Sequence, residues 1–189
     1  MSKYIFSILC SIFALTVNAQ SFTLSGQVLT NDGDGVSGAV LEVVDESETV
    51  VAALTTDCTG NFTFTDLLGG TDYTLRAEKQ GSIQNGNSTF DLVLISQHIL
   101  GIVDLPNAYY RAAADVDESG SISVFDLLLM RGVILAILDS YPGQNWFFFR
   151  PGDQFPSAEF DFILNGDLSD FDLITVKKGD VNASAFPCE

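Results

Sequence analysis

The chain has 189 residues, of which 25 are acidic and eight are Lys or Arg, so its formal charge is −17 at pH 7. A chain this acidic repels nucleic acid and anionic membrane surfaces, which argues against both as partners. It is not a disordered acidic tail either, because 47% of its residues are hydrophobic and 15 are Phe.

Residues 1–19 have the pattern of a secretory signal peptide. Lys3 supplies the positive charge, an apolar run continues to Val17, and Ala19 ends a small-residue cleavage site. The run is shorter than the roughly 20 apolar residues that a membrane-spanning helix needs. We therefore expect an exported protein, secreted or held at the cell surface, that starts at Gln20 and has no membrane span. Without Lys3, 25 acids and seven bases leave a formal charge near −18.

Residues 20–79 predict a small antiparallel β-sandwich. Hydrophobic residues alternate with polar ones in five short segments separated by clusters of Gly, Asp and Asn. The predicted strands lie at residues 22–28, 39–44, 50–54, 62–64 and 73–77. Short strands at this spacing are typical of a sandwich.

Three segments of this region resemble known sandwich modules. They are S-G-Q-V at residues 25–28, G-V-S-G-A-V at 35–40 and G-N-F-T-F at 60–64. They are similar to carboxypeptidase-regulatory-like and collagen-adhesin B-type modules of secreted proteins. The resemblance implies an Ig/prealbumin-like spacer or adhesion module without catalytic chemistry.

Two cysteines follow the predicted signal peptide, Cys58 and Cys188. In an oxidising compartment they can form a disulfide that ties the C-terminal end to the N-terminal domain. The alternative is two independent thiols. Neither cysteine lies in a C-x-x-C motif, which argues against a redox-active pair.

After residue 80 the periodicity becomes helical, and an internal repeat appears. Residues 88–102 and 123–137, which lie 35 positions apart, share Ser, Phe, Asp and several Leu and Ile positions. Each copy begins with Ser followed three residues later by Asp, a pattern typical of a helix start. The spacing predicts two loop–helix units that bury their apolar faces against each other.

Residues 115–126, D-V-D-E-S-G-S-I-S-V-F-D, fit a calcium loop. Calcium takes six to eight oxygen ligands, and a helix–loop–helix site supplies them from loop positions 1, 3, 5, 7, 9 and 12, with Gly at position 6. The positions are filled here, in that order, by Asp115, Asp117, Ser119, Ser121 through its carbonyl, Ser123 through a water, and Asp126, with Gly120 at position 6. The alternative is a solvated acidic turn that caps the next helix.

The first repeat lacks such a loop of its own, because counting back from Asp91 finds no acid at positions 1, 3 or 5. Residues 179–184, G-D-V-N-A-S, read instead as the opening half of a loop. We hypothesise that Asp180 and Asn182 meet Asp91 in space and complete a second site, so that the chain binds one or two calcium ions. The alternative is a surface turn, with the first helix packing without metal.

Residues 80–140 resemble a type I dockerin, in which two calcium loop–helix units pack as a pair. N-G-N-S-T-F-D at 85–91 and K-G-D-V-N at 178–182 are similar to the dockerin-like module of secreted proteins from Bacteroidetes-type bacteria. The resemblance implies bound Ca²⁺, a cohesin-like or other extracellular partner, and a link to polysaccharide-degrading assemblies. Dockerins usually carry small hydroxyl residues at loop positions 10 and 11, whereas T-F at 89–90 and V-F at 124–125 predict packing in the interior.

The sequence therefore predicts an α+β multidomain protein, with a signal peptide at 1–19, a sandwich at 20–79 and a dockerin-like module at 80–189. That module ends in an aromatic and acidic extension. The aromatic run at 146–149 predicts a core strand that covers the helices, with a sugar-stacking platform or docking edge as the alternative. Residues 165–173, a third echo of the repeat, predict a degenerate loop or a lead-in to a strand.

We predict no enzymatic activity. The acids occur in loops with ligand spacing rather than as a pair flanking a cleft, and His98 is the single histidine. A structural or adhesive cell-surface component without a cohesin partner is the alternative function.

Overall fold

The computed structural model describes residues 20–188. The predicted signal peptide, residues 1–19, lies outside them. The described residues form eight strands and three helices. In chain order these are β1 (Ser21–Thr30), β2 (Ala39–Asp45), β3 (Val50–Thr55), β4 (Asn61–Leu68), β5 (Asp72–Lys79), α1 (Thr89–Ile99), α2 (Ala108–Ala114), α3 (Val124–Ile134), β6 (Trp146–Phe149), β7 (Glu159–Ile163) and β8 (Leu173–Lys177).

The strands form two four-stranded sheets, in the orders β4-β1-β8-β6 and β3-β2-β5-β7. The five strands predicted before residue 80 are confirmed, with ends shifted by a few residues. Every pair among these five strands is antiparallel, as predicted, whereas β1 and the later strand β8 are parallel, with Val28 opposite Leu173. A parallel pair needs a long crossover rather than a hairpin, and the helical region between β5 and β8 is part of that crossover.

The aromatic strand β6 contributes side chains to two hydrophobic cores. All four of its residues are buried, which confirms the predicted core strand. Because side chains alternate between the faces of a strand, Trp146 and Phe148 join the sandwich core, while Phe147 and Phe149 join the core beneath the helices. One strand thereby connects the sandwich to the helical region.

The third echo of the repeat leads into β8. Its backbone pairs with β1 through Leu168 and Phe171, which bond to Thr23 and Ser25. The carboxylate of Asp167 accepts the N–H of Thr23 at 2.9 Å, and that of Asp172 accepts the N–H of Gln27 at 2.9 Å. These two acids therefore satisfy backbone donors of β1.

The two predicted helices of the repeat are present as α1 and α3, and each begins with a capping box. Ser88 caps α1 with Asp91, and Ser123 caps α3 with Asp126. Gly101, with φ 67°, follows the end of α1. The equivalent position after α3 is Ala136, which also has a positive φ, of 53°. The short helix α2, capped by Asn107, was not predicted.

Cys58 and Cys188 form a disulfide, with their Cα atoms 5.2 Å apart and 130 residues between them in sequence. Of the two readings that the sequence left open, the structure shows the paired one. The bond fastens the C-terminal segment to the turn between β3 and β4.

Strands from both sides of residue 80 share each sheet, because β6, β7 and β8 pair with one another or with β1 and β5. The sequence predicted a domain boundary between residues 79 and 80. That boundary divides two sequence patterns and stays a prediction, since the sheets extend across it. Within residues 20–188, no helix has the length and apolar character needed to cross a membrane.

We expect a fragment of residues 20–80 not to fold alone. The fragment lacks β8, which pairs with β1, and β7, which pairs with β5. It also loses the core side chains of Trp146, Phe148 and Phe160. Removing this much buried apolar surface exceeds the stability margin of a small domain. The check is amide dispersion in a ¹H–¹⁵N spectrum beside that of residues 20–189; a dispersed spectrum and a cooperative melt for the fragment would contradict the expectation.

Candidate metal centres

The predicted continuous loop brings three carboxylates together. Asp115, Asp117 and Asp126 each place one oxygen within 4.8 Å of the others. Asp115 is the C-cap of α2, and Asp126 is the third residue of α3, where its side chain is fully buried. The two helices thus fix the two ends of the loop.

The loop backbone wraps around Asp115. Its Oδ1 accepts the N–H of Ser119 at 2.9 Å, and its Oδ2 accepts the N–H of Gly120 at 2.7 Å. Glu118 and Gly120 have positive φ values of 58° and 81°. The second of these explains the glycine, since a left-handed conformation strains most L residues.

The remaining predicted ligands lie in the same loop. The hydroxyl of Ser119 donates to the carbonyl of Ser121 at 3.1 Å, so both oxygens lie side by side. Ser123 is the N-cap of α3, and its hydroxyl accepts the N–H of Phe125 at 3.1 Å. Its role as a water-mediated ligand stays a prediction. The candidate ligand atoms of this loop are all oxygens, which suit a hard divalent cation.

The pKa values of two neighbouring acids diverge in this loop. Burial raises the pKa of Asp115, and the adjacent carboxyl of Asp117 also raises it. The hydrogen bond from Ser119 lowers the pKa of Asp117. A partly buried carboxylate next to a second carboxylate is costly to ionise. A bound cation would lower that cost for both groups.

The structure brings the two half-loops together. The N–H of Val181 donates to Asp91 Oδ1 at 3.0 Å, and the hydroxyl of Ser184 donates to the carbonyl of Gly86 at 3.3 Å. Asp91 and Asp180 are both buried. Residues from the C-terminal end of the described chain therefore lie against the start of α1, as hypothesised.

The assembled half-loops repeat the contacts of the continuous loop. Asp180 accepts the N–H groups of Ser184 at 3.0 Å and Ala185 at 2.7 Å, as Asp115 accepts those of Ser119 and Gly120. Asn182 Oδ1 accepts the Ser184 N–H at 3.0 Å, and Asp117 Oδ1 accepts the Ser119 N–H at 3.1 Å.

The backbone repeats as well. Ala183, at position 4 of the split loop, has φ 56°, close to the 58° of Glu118 at position 4 of the continuous loop. Residues 180–185 thus supply positions 1 to 6, and residues 86–91 supply positions 7 to 12.

The sequence interpretation missed Gly86 as the position 7 carbonyl. The signal was present, because Gly86 lies five residues before Asp91, as Ser121 lies five residues before Asp126. Gly86 was overlooked because all twelve loop positions were counted back from Asp91. Only positions 7 to 11 precede Asp91, at position 12, directly in the sequence. The break between halves falls after position 6.

Several contacts join the two loops. Lys178, whose side chain is fully buried, donates to Glu118 Oε1 at 2.5 Å and to the carbonyl of Pro142 at 2.5 Å. The N–H of Gly179 donates to the carbonyl of Ala113 at 2.7 Å. The residues just before Asp180 are therefore fixed to the continuous loop and to α2.

The expectation that loop positions 10 and 11 pack in the interior is wrong. Phe90 is 57% exposed and Phe125 is 53% exposed. The neighbouring positions 12, Asp91 and Asp126, are the ones that point inward, and successive residues of a helix lie about 100° apart. Position 11 is turned away from the core for that reason.

All exposed large apolar residues of the repeat except Val124 come in equivalent pairs on α1 and α3 and in the turns that follow these helices. We call this set the helix face. Its members are Phe90 and Phe125, Val93 and Leu128, Leu100 and Leu135, Ile102 and Ile137, and Val103 and Leu138.

Comparison with known proteins supports the sandwich part of the chain. The carboxypeptidase regulatory-like domain family matches residues 23–96, which include β2 to β5 and most of β1. No curated protein matches the chain with significance. The match confirms the predicted resemblance to this family and extends beyond residue 79 into α1, while the collagen-adhesin and dockerin resemblances stay predictions.

We expect the metal-free protein to lose stability as the pH rises, through Asp180. Burial raises the pKa of its carboxyl in the folded chain, and the charge of Asp91 adds to the effect. The folded state thus holds this proton more tightly than the unfolded state. The resulting stability is fully present below the ordinary aspartate value of 3.8 and is lost as the pH rises through the higher folded value.

The measurement is urea unfolding in metal-stripped buffer between pH 4 and 7, for the wild type and for Asp180→Asn. The difference between the two proteins should shift in favour of the variant as the pH rises. Parallel pH profiles for the two proteins would contradict this reading of Asp180.

Proposed function

We propose that the chain is a non-catalytic, extracellular calcium-binding protein: a dockerin-like interaction or anchoring module on a β-sandwich spacer. One observation carries the proposal. Two loops, one continuous and one assembled from distant segments, present the same oxygen arrangement before two equivalent helices. A solvated acidic turn has no reason to be rebuilt from two distant parts of a chain.

Calcium is the ion that fits this arrangement best. The continuous loop offers carboxylates, hydroxyls and a carbonyl, and the described residues around it contribute no Cys or His ligand. Zinc prefers nitrogen and sulfur ligands, whereas calcium takes six to eight oxygens. Extracellular calcium modules typically bind at ~10⁻⁴–10⁻³ M, within reach of calcium levels outside cells.

Bound calcium would stabilise the fold directly. The ligands converge only in the folded chain, so the free energy of binding adds to the free energy of folding. Asp126 and Asp91 are fully buried, and a cation next to them would offset the cost of burying their charge. Since β6 and β8 belong to both cores, we expect this stabilisation to reach the sandwich.

Export of the protein is supported by two features. The first is the predicted signal peptide. The second is the Cys58–Cys188 disulfide, because such bonds persist mainly in oxidising compartments.

The helix face supports the interaction role. Its apolar residues are exposed and occupy equivalent positions in the two helical units, and a partner that covers them would remove apolar surface from water. The partner implied by the dockerin resemblance is a cohesin-like or other extracellular protein, with an associated role in polysaccharide-degrading assemblies. The matched regulatory-like domain favours a non-catalytic spacer.

We expect native mass spectrometry to detect two calcium ions on the wild type. Asp126→Asn should lose one ion and Asp180→Asn the other, because each substitution removes a charged ligand from one loop. Asp139→Asn, an exposed acid outside both loops, is the matched control and should keep two.

At calcium levels a hundredfold above Kd, each site adds about 3 kcal/mol to the free energy of unfolding, so a chelator should lower Tm. The proposal would be refuted if the wild type bound no calcium and its Tm did not change when chelator was added.

The interaction role has its own test. The variant Phe90→Ser/Phe125→Ser removes the largest side chains of the helix face without touching a calcium ligand. Immobilised wild type should retain a β-sandwich protein from the medium of the source cells, and the variant should retain at least about tenfold less, since buried aromatic anchors dominate interface energies. Val51→Ser, an exposed apolar residue on β3, is the control.

Equal retention by the wild type and the helix-face variant would exclude this face as the docking site. If no protein is retained at all, the alternative of a structural or adhesive surface component is favoured.

A further inference from the structure

The segment that carries the first half of the split loop ends at a disulfide. Asp180, Asn182 and Ser184 are followed, four residues after Ser184, by Cys188, which is bonded to Cys58. Hydrogen bonds also hold the two residues just before Cys188, Phe186 and Pro187. The backbone of Phe186 exchanges hydrogen bonds with the side chain of Asn85, at 2.8 and 2.9 Å, and the N–H of Ser37 donates to the carbonyl of Pro187 at 3.1 Å.

A split loop has a difficulty that a continuous loop avoids. In the continuous loop a peptide bond joins position 6, Gly120, to position 7, Ser121. In the split loop positions 6 and 7 are Ala185 and Gly86, which belong to distant parts of the chain. Two buried carboxylates, Asp180 and Asp91, face each other across the halves. When both are ionised, their repulsion costs free energy that a cation between them would relieve.

The attachment point of the disulfide is a rigid part of the sandwich. Cys58 lies in the turn between β3 and β4. The N–H and hydroxyl of Thr59 both bond to Asp57, at 2.9 and 2.5 Å. The turn also packs so closely on Gly35 that a Cβ there would lie 2.4 Å from the backbone of Thr59. This turn therefore holds Cys188 in a fixed place.

We propose that the Cys58–Cys188 disulfide takes the place of the missing peptide bond, holding residues 180–185 against Gly86 and Asp91, and that it sets the calcium affinity of the split loop. This inference rests on the calcium binding proposed above. Cys58 and Cys188 act as positioning residues, since neither is a ligand. The continuous loop, closed by its own backbone, does not depend on them.

The expected size follows from chain entropy. Fixing the backbone of a single residue costs about a factor of ten in a binding constant. With the disulfide, the segment from Asn182 to Ser184 is held before calcium binds. Without it, calcium binding must supply part of that order. We expect the split loop to bind calcium at least about tenfold more weakly in the absence of the disulfide, and the continuous loop to be unchanged within about twofold.

The experiment separates the two sites and then removes the disulfide from each. Asp115→Ala/Asp117→Ala leaves the split loop as the one strong site, and Asp180→Ala/Asn182→Ala leaves the continuous loop. Each full-length protein is prepared with and without Cys58→Ser/Cys188→Ser, and calcium alone is titrated by calorimetry. Loss of affinity in the first pair and none in the second supports the inference.

Three other outcomes are distinguishable. Equal calcium affinity of the split loop with and without the disulfide overturns the inference and leaves the proposed function intact. Equal weakening of both loops also overturns it, since the disulfide then acts on overall stability. Absence of calcium binding in the wild type removes the proposed function, and this inference with it.

A second measurement covers the case in which the serine variants do not fold. The folded wild type is treated with dithiothreitol, which gives two electrons and two protons to the disulfide and becomes a cyclic disulfide, leaving thiols at Cys58 and Cys188. Native mass spectrometry at limiting calcium should then show one ion lost selectively, and Asp180→Ala/Asn182→Ala should lose none. Retention of both ions by the reduced wild type would overturn the inference.

Discussion

The carboxylates of Asp91 and Asp126 are fully buried three residues into α1 and α3. A buried charge is costly unless hydrogen bonds or a counter-charge compensate it. Each carboxylate first accepts the backbone N–H of its own N-cap, Ser88 at 2.9 Å and Ser123 at 2.8 Å. Its second oxygen faces the loop. The loops, and any ion that they hold, therefore complete an environment that the helix starts alone leave incomplete.

For α1, that environment comes from the far end of the described chain. The strand β8 runs parallel to β1 and ends at Lys177, after which Gly179 bonds to Ala113 and Asp180 enters the split loop. The position of the split loop is thus fixed by the sandwich. The sandwich in turn is held to the helices by β6, whose alternating side chains fill both cores. Spacer and helical region share strands rather than being joined by a linker.

The features that the sequence predicted are those encoded within about a dozen neighbouring residues. The strands of residues 21–79, the capping boxes at Ser88 and Ser123, and the loop closed by Asp126 each carry their whole signal locally. The half-loop at Asp180 was also readable, because its ligands follow the same spacing.

What escaped prediction depends on distant contacts. A strand after the third echo was one of two interpretations, but its parallel pairing with β1 was not predicted, because β8, L-I-T-V-K, is five residues long and its partner lies near the other end of the chain. The helix α2, A-Y-Y-R-A-A-A, is only seven residues long, too short for a clear helical period. The outward direction of Phe90 and Phe125 follows from which neighbouring face is buried, and this is decided by packing. Composition alone suggests the opposite, since Phe is usually buried.

A single lysine contacts residues of both loops. Lys178 is fully buried, its ammonium lies 4.8 Å from the centre of the Phe147 ring, and it donates to Glu118 in the continuous loop. A buried ammonium that loses its partner is strongly destabilising, so Glu118 cannot move away without cost. Lys178 also lies two residues before Asp180, and its carbonyl accepts the side-chain N–H of Asn87, beside Gly86. Lys178 therefore joins the backbone before Asp180 to the continuous loop, while each loop keeps its own candidate ligands.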